Sequence, residues 1–259
     1  MGLKGRAAFI LPQYQQMDFA AHLWNICPPL DEQARSQTMI VFLHTSPVHV
    51  ARFDALRDRI APGQRIRHVV REDLMDRTIA EGGLTPDIQA AARQALADAL
   101  TPEVKALVCT CSMIGQVAEA YDAEASVPVL RVDRPMTDQA VMQARNIAVC
   151  ATYPLSLAAT VALVRSSADY LQRPKVIVTE HLFPAAWPLF ESGEMEAYFQ
   201  AVALGIRGVS LSADLILLAQ ASMEGAIPLC GDIDIPIWSS PEIGFRTALS
   251  LIENMEKMQ

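Results

Sequence analysis

The sequence predicts an α/β fold of two pseudo-symmetric units, each a four-stranded parallel sheet, with the active site in the cleft between them. Three observations predict it. Short, nearly continuous apolar runs alternate with helix-sized amphipathic segments, the pattern of parallel strands covered on both faces. The runs of the first half recur in the second half at nearly constant spacing. The loops that follow the runs carry small polar residues and prolines suited to helix starts.

In chain order, residues 39–45 (MIVFLHT) match residues 146–152 (NIAVCAT), with Thr45 and Thr152 lying 107 positions apart. Residues 68–74 (HVVREDL) match 176–182 (VIVTEHL), setting Glu72 on Glu180 at a spacing of 108. Residues 106–115 (ALVCTCSMIG) match 216–225 (ILLAQASMEG), sharing Ser-Met-x-Gly at 110. Val127-Pro128-Val129 matches Ile235-Pro236-Ile237 at 108. Four matches in one order describe a duplicated unit. Between the runs, Val48, Phe53, Leu56 and Ile60 recur at helical spacing, as do Ile88, Ala91, Ala92, Ala95 and Leu96. The units are residues 38–144 and 145–259, and the closing helix is free to pack on either. Residues 1–37 form an extension outside the repeat, read as an added edge or a dimer contact, so a homo-oligomer is compatible with the sequence.

Composition bounds the function. Apolar residues make up 51% and charged residues 19%, which excludes a disordered chain. The net charge is −8 and the 21 Lys and Arg are scattered, so no concentrated basic face exists for nucleic acid or an anionic membrane. Five cysteines, an odd number without a C-x-x-C pair and without a secretory signal ahead of them, read as reduced thiols of a cytoplasmic protein. No run reaches membrane-spanning length. Cys109 and Cys111 have no second Cys or His pair at ligand spacing, so no metal site is expected.

Ligands of open parallel sheets bind where strand carboxyl ends lead into helix starts. Here those ends are Thr45-Ser46-Pro47, Thr110-Cys111-Ser112, Thr152-Tyr153-Pro154 and Gln220-Ala221-Ser222. Ser112 and Ser222 are placed to cap helices. Free N–H groups at two such helix starts would bind a carboxylate without Lys or Arg. Cys111, just before a helix start, is where a thiol is acidified and becomes useful as acid, base or nucleophile. Cys109, Cys150 and Cys27 fit buried structural positions better.

With these residues the chain resembles the aspartate/glutamate racemase superfamily, which includes hydantoin racemases, arylmalonate decarboxylase and maleate isomerase. The resemblance spans about residues 38–250. It rests on the duplicated four-strand, Rossmann-like unit, on Thr110-Cys111-Ser112 and on Thr152-Tyr153. It implies an enzyme without a cofactor, acting on a small carboxylate or amino-acid-like substrate. The family's racemases place one cysteine in each half, on opposite faces of the carbon next to a carboxylate, and a hydroxyl at the position of Tyr153 to hold that carboxylate. The present chain departs from that pattern. The repeat sets Ala221 opposite Cys111, or Gln220 if the register shifts by one, and neither moves a proton. The family's decarboxylase likewise keeps one thiol, for one face.

The sequence therefore supports a cofactor-independent isomerase- or lyase-type enzyme rather than a two-cysteine racemase. Cys111 is the catalytic thiol, and His181, which closes the second run of the second half beside Glu180, is a candidate acid or base. Asp133 is either a turn residue or a site carboxylate. Thr45, Ser46, Thr110, Ser112, Thr152, Tyr153, Gln220, Ala221 and Ser222 are the expected substrate-binding set. The alternatives are a decarboxylase, an isomerase or hydrolase with Cys111 as nucleophile, and, from another class, a carboxylate-binding protein without turnover.

Overall fold

The structure, a computed structural model, describes residues 38–257. The extension at 1–37, with Cys27 and the expected edge or dimer contact, lies outside the described residues. The first sheet holds β1 (Met39–His44), β2 (Arg65–Val70), β3 (Val104–Cys109) and β4 (Val129–Arg131) in the order β2-β1-β3-β4. The second holds β5 (Asn146–Ala151), β6 (Ile177–Leu182), β7 (Leu215–Leu218) and β8 (Ile237–Trp238) in the order β6-β5-β7-β8. Every pairing is parallel and the two orders are the same permutation. The duplication read from sequence is thus a duplication of topology.

The central strands are apolar on both faces because both faces are covered. From β1, Val41 and Leu43 enter one core with Ala92, Ala95 and Leu96 of α3 (Pro86–Ala99). Ile40 and Phe42 enter the opposite core with Phe53 and Leu56 of α1 (Val48–Ile60). From β5, Ile147 and Val149 meet α6 (Pro154–Tyr170), while Ala148 and Cys150 meet Tyr198, Val202 and Ile206 of α8 (Met195–Val209). Pro154 opens α6 and Pro47 immediately precedes α1, where a missing N–H costs nothing.

The helices after the last strand of each sheet are exchanged. α5 (Arg134–Gln143) follows β4 yet packs Met136, Ala140 and Val141 into the core of the second sheet. α9 (Ser240–Lys257) follows β8 and packs Phe245, Ala248, Leu251 and Ile252 into the first. Phe42 meets Phe53 at 4.5 Å and Phe245 at 5.5 Å between ring centroids; each buried ring contributes about 1.5–3 kcal/mol. Gly244 permits this docking, since a Cβ there would lie 2.6 Å from the Val132 carbonyl oxygen. The closing helix thus belongs to the first unit in space, and the exchange ties the two sheets into one body.

Two register readings change. The second strand of the first half is residues 65–70; Glu72, Asp73 and Leu74 instead open α2 (Glu72–Ala80). Phe42 pairs with His68 and Val149 with Glu180, so Glu180 corresponds to His68 rather than Glu72. β2 is an edge strand carrying Arg65 and Arg67, and that polarity hid it. At the third strands, the Thr110 N–H bonds Leu43 O at 3.0 Å and the Ala219 N–H bonds Cys150 O at 2.9 Å. The ladder therefore equates Cys111 with Gln220, one residue off the Ser-Met-x-Gly match.

Candidate active site

One cavity opens at the carboxyl ends of both sheets. Its walls come from the loops after β1, β3, β4 and β7 and from the starts of α6 and α9. Of the expected residues, Thr45, Ser46, Thr110, Cys111 and Ser112 line it from the first unit, and Gln220, Ala221 and Ser222 from the second. Its lining contains no Lys or Arg. The cavity lies where several helical segments begin, so their free N–H groups and positive dipole ends favour an anion.

Thr152 and Tyr153 are not brought into the lining. Gln220 takes their donors: its Oε1 accepts from the Thr152 N–H at 2.7 Å, the Thr152 hydroxyl at 3.0 Å and the Tyr153 N–H at 3.3 Å. The tyrosine ring instead packs, tilted, against Trp187 at 4.6 Å between ring centroids, and Trp187 against Phe190 at 5.2 Å. Trp187 and Phe190, on α7 (Trp187–Glu191), give the cavity an apolar wall. His181 is not brought there either; its Nε2 bonds Thr179 of its own strand at 3.0 Å.

The capping roles differ from expectation. Ile114, not Ser112, stands before α4 (Gly115–Asp122), and no side chain caps that helix. Ser222 lies within a 3-10 segment, Ala221–Cys230, and its hydroxyl bonds the Tyr198 hydroxyl at 3.0 Å. Loop turns before these helical segments displaced both serines from the cap position.

The half-buried Cys111 sulfur receives hydrogen bonds from the Thr45 hydroxyl and from the Met113 and Ile114 N–H groups. Burial nevertheless pushes the thiol above its ordinary range, and the nearby Asp133 carboxylate adds to the rise. The expected acidification is overturned because desolvation of the thiolate outweighs the three donors. Cys111 rests as a thiol, the form that gives a proton. Asp133 lines the cavity and is held bidentately by Arg131, at 2.7 and 3.0 Å. The Arg131 guanidinium also meets Glu119 at 3.2 Å and lies under Gly115, where a Cβ would come within 2.8 Å of it. Arg131 thus underpins the loop that carries Cys111.

Sequence reading missed the histidines. Thr110 donates its hydroxyl to Leu43 O at 3.2 Å, so it accepts from His44 Nδ1–H at 2.8 Å. His44 Nε2 then accepts from His68 Nδ1–H at 2.8 Å, a tautomer assignment that follows from the network. His68 Nε2 lies 3.5 Å from the Asp54 carboxylate. Burial lowers His44 to about 3 and His49, on the first turn of α1, to about 4. Both protonate more readily unfolded than folded. Their contribution to stability is full above about pH 6.5 and is lost as pH falls toward those values. Each should steepen acid destabilisation by up to about 1.4 kcal/mol per pH unit. Urea titrations near pH 7 and near pH 5 measure this; His44→Gln should flatten the slope, and an unchanged slope would contradict it.

Among the described residues, no group of three His, Cys, Asp or Glu could hold a metal ion, and no helix is long and apolar enough to cross a membrane. Cys109, Cys111, Cys150 and Cys230 are free thiols.

The fold is shared with solved structures of racemases. Glutamate racemase from Francisella tularensis, solved with D-glutamate, matches with a TM-score of 0.61 and 16% identity, over 85% of this chain and 83% of its own. Aspartate racemase from Picrophilus torridus matches with a TM-score of 0.55 and 14% identity, over 85% and 94%. Allantoin racemase from Pseudomonas fluorescens matches with a TM-score of 0.53 and 17% identity, over 85% and 92%. No protein-family model and no curated protein sequence matches the chain.

Proposed function

We propose that this chain is an enzyme of the racemase superfamily that moves a proton at a carbon next to a carboxylate, with Cys111 as the reacting acid–base thiol and no cofactor. The observation that supports it most is a cavity in which the Cys111 sulfur sits among hydroxyls and helix-start N–H groups, without Lys or Arg in the lining. The substrate carboxylate lies against Ser46, Ser112 and the N–H groups after β3, and those donors hold the negative charge that grows on it as the proton leaves. Its remaining substituent faces Trp187 and Phe190, which suits an apolar or aryl group. The second thiol of a two-cysteine racemase is absent, because Gln220 stands at that position.

A second reading, a small-carboxylate-binding protein without turnover, draws on the same Gln220, whose oxygen already occupies the donors after β5. Deuterium exchange separates the two. Single enantiomers of aspartate, glutamate, phenylglycine and mandelate are incubated with the protein in D2O and followed by proton NMR. The enzyme reading expects enzyme-dependent loss of the Cα–H signal from at least one of them. Binding without exchange across the panel would favour the second reading.

A further inference from the structure

Besides Cys111 and the arginine-bound Asp133, the cavity contains a further group able to move a proton, and it was not among the residues singled out from sequence. His49 lines the cavity, is only 9% exposed, and its Nδ1 has no hydrogen-bond partner among the described residues. A buried imidazole nitrogen without a partner is costly, and such atoms in native structures call for an explanation. The histidine's own helix places it. One turn along α1, Arg52 reaches across the cleft and pairs with Glu224 of the Ala221–Cys230 segment. That pair ties α1 to the second unit, whose Gln220 and Ala221 line the same cavity as His49. His44 lies nearby, tilted, at 6.0 Å between ring centroids, and its nitrogens are committed to Thr110 and His68, so it does not satisfy His49.

We infer that His49 is a catalytic residue, the acid–base partner of Cys111 on the opposite face of the substrate carbon. This deepens the function proposed above and rests on it. In one direction, the His49 imidazole takes the proton from the carbon beside the carboxylate. The C–H electron pair moves into the carboxylate as an enediolate, and the Cys111 S–H then gives its proton to the other face. The site is left with an imidazolium and a thiolate, which return to imidazole and thiol by passing one proton through solvent after product leaves. The reverse direction starts from the imidazolium–thiolate pair, with the Cys111 thiolate taking the proton and the His49 imidazolium giving one to the other face. The resting states fit, since burial keeps the thiol protonated and the imidazole neutral. A neutral acid facing a neutral base is the combination that inversion requires.

The test is the stereochemical course of exchange in the D2O panel. Wild-type protein should place deuterium in the opposite enantiomer of any compound it exchanges. His49→Gln should lower inversion at least 100-fold while leaving exchange with retention from the Cys111 face. His49→Ala should recover part of the inversion when imidazole is added, which a merely structural role would not produce. Retention alone in the wild type would overturn the assignment while leaving the Cys111 proposal intact, and it needs no variant to fold. Undiminished inversion by His49→Gln would also overturn it. Absence of exchange from every compound in the panel would remove the proton-transfer reading, and the role of His49 with it.

Discussion

Cys111→Ser is expected to lower exchange with inversion about 10²–10⁴-fold, the range that one positioned acid–base group contributes. The replacement is nearly isosteric. A serine oxygen can accept the same hydrogen bonds that the sulfur takes from Thr45, Met113 and Ile114, so the loop keeps its shape. The expected stability change is within about 1 kcal/mol. What changes is acidity: a serine hydroxyl is a far weaker acid than even a thiol raised by burial. Loss of inversion at unchanged melting temperature therefore isolates proton transfer from folding. Full inversion by the serine variant would show that Cys111 only packs.

Arg131→Met should have the largest effect on stability. Arg131 and Asp133 are each about 5% exposed or less at their side chains. Removing the guanidinium leaves the Asp133 carboxylate buried without its partner, which costs about 3–5 kcal/mol. The bidentate pair, the contact with Glu119 and the close seat under Gly115 all disappear together. Equilibrium urea unfolding measures the loss. A second variant, Arg131→Met with Asp133→Leu, should recover part of it, because an apolar pair no longer strands a charge. A cost below about 1 kcal/mol for the single variant would show that the Arg131–Asp133 pair does not hold this loop. Exchange activity should fall with Arg131→Met as well, since the loop from Ser112 to Gly115 rests on it.

Much of this architecture was legible in the sequence because its cause is local. Strands such as residues 39–44 and 146–151 are buried on both faces, so they read as unbroken apolar runs. The third and fourth runs repeat closely enough to reveal the duplication. β2 escaped because an edge strand carries arginines, and its sequence match was drawn four residues too late. Cys111 was legible as the residue closing a repeated strand. The direction of its acidity was not, because burial is a property of the assembled cavity. Two residues showed the same limit in opposite ways. His181 looked available at the end of a run, yet it bonds Thr179 on its own strand. His49 looked like an ordinary helix residue, yet the turn after β1 carries it into the cavity wall. Nothing in the residues around Thr152 shows that Gln220, 68 positions later, takes its donors. Only the packing of β5 against β7 brings them together.

The central claim is that a small carboxylate binds in this cavity against Cys111. Alkylation by iodoacetamide at mildly alkaline pH, read cysteine by cysteine through peptide mass spectrometry, tests it most directly. Cys109, Cys150 and Cys230 are buried and serve as internal controls. Among these four described cysteines, Cys111 should be labelled first, and compounds of the panel that exchange should slow its labelling in a saturable way without changing the others. Labelling of Cys111 that no carboxylate slows, or protection that falls equally on all four thiols, would contradict the account.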